Sequence, residues 1–190
     1  VEVYDHHKTA QDDLAGWTRG KVVFDMERSG AGIVYDEFHW QPVEVDYPRE
    51  TWRAPRPKLV DYVEDRDLWL WKLPQSREVS DYIRSWPYDF KTWDALAYEL
   101  DHDLDDAKKA GACIRRTTRT RVEAIARHAR LMKFGTVEIP VVNCSWDFSE
   151  IGEQIATGTP GQVGGYYFDR SDGKRQWGFR SLGDFDCAAF

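Results

Sequence analysis

Cysteine is scarce. Cys113, Cys144 and Cys187 are the three in 190 residues, odd in number, far apart and never at CxxC spacing. A disulfide framework is therefore not expected, and a reducing, cytoplasmic setting is the default. Net positive charge is also missing. Thirty-three acidic against twenty-six basic residues give a formal charge of -7, which argues against a long nucleic acid held by bulk electrostatics. No apolar run reaches the roughly 20 residues that span a bilayer, and no secretory signal is visible, so no membrane partner is expected. Low-complexity sequence is absent. The glycines carry no Gly-Lys-Ser/Thr, which removes a P-loop. What remains is a globular composition, 42% hydrophobic and 31% charged, with an aromatic share of 14% that includes nine tryptophans. Those rings are read first as core packing, and second as platforms on which bases could stack.

Periodicity gives an α/β reading. Val1 to Tyr4 alternates like a strand and opens mid-pattern, so residues upstream are expected. Thr9 to Trp17 predicts a short helix, Lys21 to Asp25 a second strand, and Ser29 the cap of a helix through Trp40. Four prolines between Pro42 and Pro57 predict an irregular excursion. Leu59 to Asp67 and Ser76 to Trp86 read as helices flanking the apolar run Leu68-Trp69-Leu70-Trp71. Phe90 to Phe134 reads as helical almost throughout, bent or broken at Gly111. After Gly135 come a strand over 136–143, a short helix over 149–157, a loop with Gly158, Gly161, Gly164 and Gly165, and a hairpin around Ser171-Asp172-Gly173.

Chemistry concentrates in Asp5-His6-His7, at the C-terminal end of the first strand, where ligands collect in open α/β sheets. A carboxylate with two imidazoles suits Mn²⁺, Zn²⁺, Fe²⁺ or Co²⁺. Neighbours on an extended strand point to opposite sides, so all three reach one ion only if a turn follows. A polar loop with ordinary histidines is the competing reading. Glu64-Asp65-Arg66-Asp67 is a second acidic cluster. Carboxylates at a helix C-terminus are unfavourable unless a cation is near, which favours a role over a plain solvated end. Arg28 and Ser29 precede a helix start whose amides could hold phosphate, with a plain N-cap as the alternative. The glycines of 158–165 could approach a phosphate or base. His39, His102 and His128 share no ligand spacing.

With these residues in hand, Val3-Tyr4-Asp5-His6-His7-Lys8-Thr9-Ala10 resembles the signature of the DHH phosphoesterase superfamily. Phe24-Asp25-Met26-Glu27-Arg28-Ser29-Gly30-Ala31-Gly32 and Tyr62-Val63-Glu64-Asp65-Arg66-Asp67-Leu68-Trp69 resemble, in order, motifs of its oligoribonuclease-like or cyclic-nucleotide phosphodiesterase-like subgroup. The resemblance covers roughly residues 1–75. It implies a partial DHH-type parallel-sheet domain over 1–104, a long connector helix over 105–134 and a smaller α+β substrate-binding domain over 135–190. It further implies two Mn²⁺ ions, with Mg²⁺ or Co²⁺ as substitutes, and hydrolysis of short oligoribonucleotides or of cyclic or linear dinucleotides.

By that resemblance His6 is a metal ligand, Asp5 a ligand or the group that orients one, and His7 a contact to the scissile phosphate. Asp65 is the first choice for the later ligand and Asp67 the reserve. Arg175 and Arg180 join Arg28 and Ser29 as substrate-binding candidates. The superfamily's ligands upstream of DHH and its C-terminal glycine-rich, His-containing motif are not in the sequence, so the chain reads as trimmed at both ends. These 190 residues alone are expected to bind metal weakly or singly and not to hydrolyse. A non-catalytic nucleotide or phosphate-binding module is the first rival. A structural protein with an interface at Trp69, Trp71 and Trp86 is the second, and a homo-oligomer stays open.

Overall fold

A computed structural model describes residues 1–38 and 55–187. It divides into two compact units, Val1–Arg115 and Arg116–Phe190. The division falls inside the stretch expected as the connector. The excursion predicted over 42–57 lies outside the described residues as far as residue 54, as do His39 and Trp40.

In the first unit, β1 (Glu2–Asp5) pairs in parallel with β2 (Lys21–Phe24), from Glu2 opposite Lys21 to Asp5 opposite Phe24. A parallel pair needs a crossover of a dozen or more residues, which 6–20 supply with α1 (Lys8–Asp13) inside. No residue of either strand is fully buried, so the core lies elsewhere. It is helical. From α3 (Lys58–Asp67), α4 (Ser76–Arg84) and α5 (Phe90–His102), the buried side chains Leu59, Tyr62, Val79, Ile83, Leu96 and Leu100 close on one another, joined by Ala107. Their spacing of three and four residues puts each set on one helix face. The remaining helix, α2 (Gly30–Phe38), follows β2 and packs on α3 and β1.

The stretch expected to be one helix over 90–134 is three elements. α5 starts where Asp89 caps it, its carboxylate accepting from the Thr92 amide at 2.9 Å and hydroxyl at 2.8 Å. It stops at Asp103, which leaves helical geometry (φ -140°, ψ 59°). α6 (Leu104–Ala126) then begins, with Asp105 and Asp106 in its first turn, the favourable sign for a helix start. Gly111 does not break it. Instead a Cβ there would lie 2.0 Å from the Glu78 carbonyl oxygen, so α6 uses the glycine to run against the α4 backbone. Residues 130–134, expected as helix, form strand β3 (Arg130–Phe134), because pairing with the next strand outweighs local preference.

The second unit holds a four-stranded mixed sheet, ordered β3, β4 (Val137–Asn143), β5 (Val163–Asp169), β6 (Arg175–Ser181). β3 and β4 are antiparallel, β4 and β5 parallel, β5 and β6 antiparallel. α7 (Phe148–Thr157) makes the crossover that the parallel pair requires. The hairpin expected at 171–173 is present, closed by the Arg170 amide on the Lys174 carbonyl at 2.8 Å. Gly164 and Gly165 belong to β5, not to an open loop. A Cβ on Gly164 would stand 2.8 Å from Ile155, so this glycine lets α7 pack on the sheet and is no ligand cradle. The whole is a mixed α/β arrangement of helices with two small sheets. No helix among the described residues is long and apolar enough to cross a membrane.

Candidate metal centre

β1 ends at Asp5, and the chain then turns. His7 keeps extended geometry (φ -88°, ψ 124°) and precedes α1. That turn removes the obstacle that alternation in a strand would pose. Asp5, His6 and His7 each present one ligand atom, and these atoms all lie within 4.8 Å of one another. The His6 and His7 rings meet edge to face, centroids 4.3 Å apart.

Asp5 organises the group. Its Oδ1 accepts from the His6 amide at 2.7 Å, from the His7 amide at 3.2 Å, and lies 2.7 Å from His7 Nδ1. An ionised carboxylate only accepts, so His7 Nδ1 carries the proton in this bond and Nε2 is the second functional atom. The His7 ring, helped by the two amides, holds the Asp5 carboxyl below the usual aspartate range although burial opposes it. All three bonds go to Oδ1, so Oδ2 is available to a cation.

Asp67 lies at the edge of this group. Its Oδ2 lies 3.3 Å from His6 Nε2. His6 is largely buried, with 12% of its side chain exposed, whereas Asp67 is 47% exposed. One edge of the site is therefore packed and the other faces solvent. The donor set is two carboxylates and imidazole nitrogens, a combination that fits a divalent first-row cation.

Asp65, the first choice from sequence, turns away from this group. It is buried and accepts from the Lys72 amide at 2.9 Å, the Leu73 amide at 3.4 Å and the Ser76 hydroxyl. Its carboxylate ties the loop after α3 to the start of α4. The reserve, Asp67, is the one that meets His6.

Arg28 and Ser29 do not form an open phosphate cradle. Ser29 is fully buried and caps α2 through its Oγ, which accepts from the Gly32 amide at 3.0 Å. The anion that this helix start attracts is internal. Glu64 Oε2 accepts from the Ser29 amide at 2.9 Å and the Ser29 hydroxyl at 3.1 Å. Arg28 reaches the same oxygen at 3.3 Å and Asp36 at 2.7 Å. Glu64 was legible only as one member of an acidic cluster. Its position three residues before Asp67 on α3 was the available signal, because that spacing puts both on one side of the helix.

Arg175 and Arg180 belong to the second unit. Arg175 forms a two-pronged pair with Asp169, at 2.7 and 3.2 Å, and stacks over Tyr167. Arg180 packs its aliphatic stem beside Gly152 of α7. Of the tryptophans proposed as an interface, Trp86 is 42% exposed, while Trp69 and Trp71 are half-buried.

No family model matches the sequence, and no solved structure matches it. It is similar to the uncharacterized protein R106 of Acanthamoeba polyphaga mimivirus, 33% identical over 109 residues. That stretch is 56% of this chain and 23% of the viral protein, so the chain spans about a quarter of that relative's length.

Proposed function

We propose that the first unit binds one divalent cation at the Asp5-His6-His7 cluster, beside Asp67, and, with it, the phosphate of a nucleotide or short oligonucleotide, without hydrolysing it. The observation that carries this reading is the convergence of Asp5, His6 and His7 within 4.8 Å, with Asp67 against His6. Their place at the C-terminal end of a parallel strand pair supports it, since ligands gather there in α/β proteins.

Each side chain has a task. Asp5 and His6 supply donors to the cation, with Asp67 against His6 at the edge of the site. Asp5 Oδ1 fixes the His7 ring, so that His7 Nε2 faces the phosphate. A bound cation supplies charge neutralisation for the phosphate oxygens. In-line hydrolysis of the two-metal kind needs a second set of donors about 3.5–4 Å away. Among the described residues one such cluster is found, which supports binding over turnover.

Phosphodiester hydrolysis in a longer protein is the second reading. Its support is the order of three motifs along residues 1–75, which resemble those of DHH phosphoesterases. Calorimetric titration with Mn²⁺, Co²⁺ and Mg²⁺ separates these accounts when paired with an assay on bis(p-nitrophenyl) phosphate. One cation per chain, lost in His6→Ala and Asp67→Asn, and no turnover are expected. Absence of cation binding sinks the proposal, and turnover that needs His6 transfers it to the second reading.

A further inference from the structure

The segment joining α3 to α4 is built against local preference. Five non-glycine residues among those described have positive φ, and three of them are Trp69 (57°), Trp71 (55°) and Gln75 (51°). Left-handed geometry is disfavoured for any residue with a Cβ and is an outlier for a bulky one. Glycine or asparagine would close such a turn more easily.

Asp65 enforces the geometry. Its carbonyl accepts from the Leu70 amide at 2.8 Å, and its carboxylate takes the Lys72 and Leu73 amides. The two indoles meet edge to face, with centroids 4.8 Å apart. Arg77 lies over Trp71 at 4.1 Å and over Trp69 at 5.8 Å, and Arg66 lies over Trp69 at 5.6 Å. Trp71 Nε1 is buried with no acceptor among the described residues. Strain and an unmet donor in one short loop point to a ligand-binding role.

Position gives the ligand class. Trp69 follows Asp67 by two residues, so their Cα atoms are at most about 7 Å apart. The loop therefore starts beside the residue that meets His6.

We infer that the Trp69–Trp71 loop, with Arg66 and Arg77, is the base-binding end of the cation site, and that its ligand is a nucleoside monophosphate or the terminal nucleotide of a short strand. This rests on the reading that a phosphate sits at Asp5, His6 and Asp67. The base lies against an indole face, and the arginines over the rings keep them in place. Stacking on aromatic rings is tolerant of base identity, so a preference for any base over none is the signature.

AMP and ribose 5-phosphate, identical but for the base, are the probes. Their affinities are read by calorimetry with and without saturating Mn²⁺, on the wild-type chain and on Trp69→Gly and Trp71→Gly. Glycine suits both backbone positions and removes only the ring. AMP is expected to bind about tenfold tighter than ribose 5-phosphate, and that ratio is expected to fall toward one in Trp69→Gly. Equal affinity of the two probes for the wild type overturns the inference and leaves the cation reading standing. A preference that survives in both glycine variants overturns it also. A base preference without Mn²⁺ binding keeps the platform and sinks the cation reading. The wild-type comparison stands even if a variant does not fold.

Discussion

Glu64 closes the N-terminus of α2 by accepting, on one carboxylate oxygen, the Ser29 amide at 2.9 Å and the Ser29 hydroxyl at 3.1 Å. The same carboxylate pairs with Arg28 at 3.3 Å and, through its other oxygen, with Arg56 at 2.9 Å. An anion-binding helix start is thus satisfied from within the fold, by the helix that also carries Asp67.

Gly32 is the third partner in that arrangement. A Cβ there would lie 1.9 Å from Glu64 Oε2 and 2.8 Å from an Arg56 nitrogen. Gly32→Ala would normally gain helix propensity, up to about 1 kcal/mol. Here it displaces the carboxylate and is expected to destabilise by about 2 kcal/mol. Urea unfolding checks the sign, and a stabilised variant refutes the packing.

Acid should release the same contact. Burial raises the Glu64 pKa, but the Ser29 amide, Arg56 and Arg28 outweigh it, and the net position is below the ordinary glutamate value. A group lowered in the folded state stabilises above its unfolded pKa, about 4.3 for glutamate, and that contribution is lost as pH falls through the folded value. Melting temperatures of wild type and Glu64→Gln, measured from pH 7 to pH 3, should differ most at neutral pH and converge at the acidic end. A constant difference would show that the charge is not what Glu64 contributes.

Two aspartates on one helix should fail differently. Asp65→Asn weakens bonds to the Lys72 and Leu73 amides and the Ser76 hydroxyl, and is expected to cost about 2 kcal/mol of stability. Asp67 is half exposed and faces His6, so Asp67→Asn should leave stability within about 0.5 kcal/mol and weaken Mn²⁺ binding at least tenfold. Thermal unfolding and calorimetry on both variants give the answer. Loss of cation affinity confined to Asp65→Asn would reverse the assignment.

Gly111 offers a test of the helical core. Inside an exposed helix, Gly→Ala stabilises by about 1 kcal/mol. At this position the new Cβ would meet the Glu78 carbonyl oxygen at 2.0 Å. Backbone cannot yield as a side-chain tip can, so Gly111→Ala should destabilise by about 2 kcal/mol or more. Denaturant midpoints decide it, and a rise in the midpoint would show that α6 does not lie against α4.

The sequence by itself determined what local chemistry controls. Alternation marked β1, the Val22-Val23-Phe24 run marked β2, Ser29 marked the start of α2, and Ser171-Asp172-Gly173 marked the hairpin, because strand preference, side-chain caps and tight turns act over a few residues. It also marked Asp5, His6 and His7 as a candidate ligand set, since their types and adjacency are visible along the chain. Tertiary structure decided the rest. Residues 130–134 are a strand because β4 pairs with them, a gain that no local pattern displays. Gly111 continues a helix because another backbone lies against it. The choice of Asp67 over Asp65 depends on successive residues of a helix pointing about 100° apart, so the side on which His6 lies selects between them. Ser29 meets Glu64 and not a ligand because α3 packs on α2, and a carboxylate within reach satisfies a helix start as well as a phosphate does.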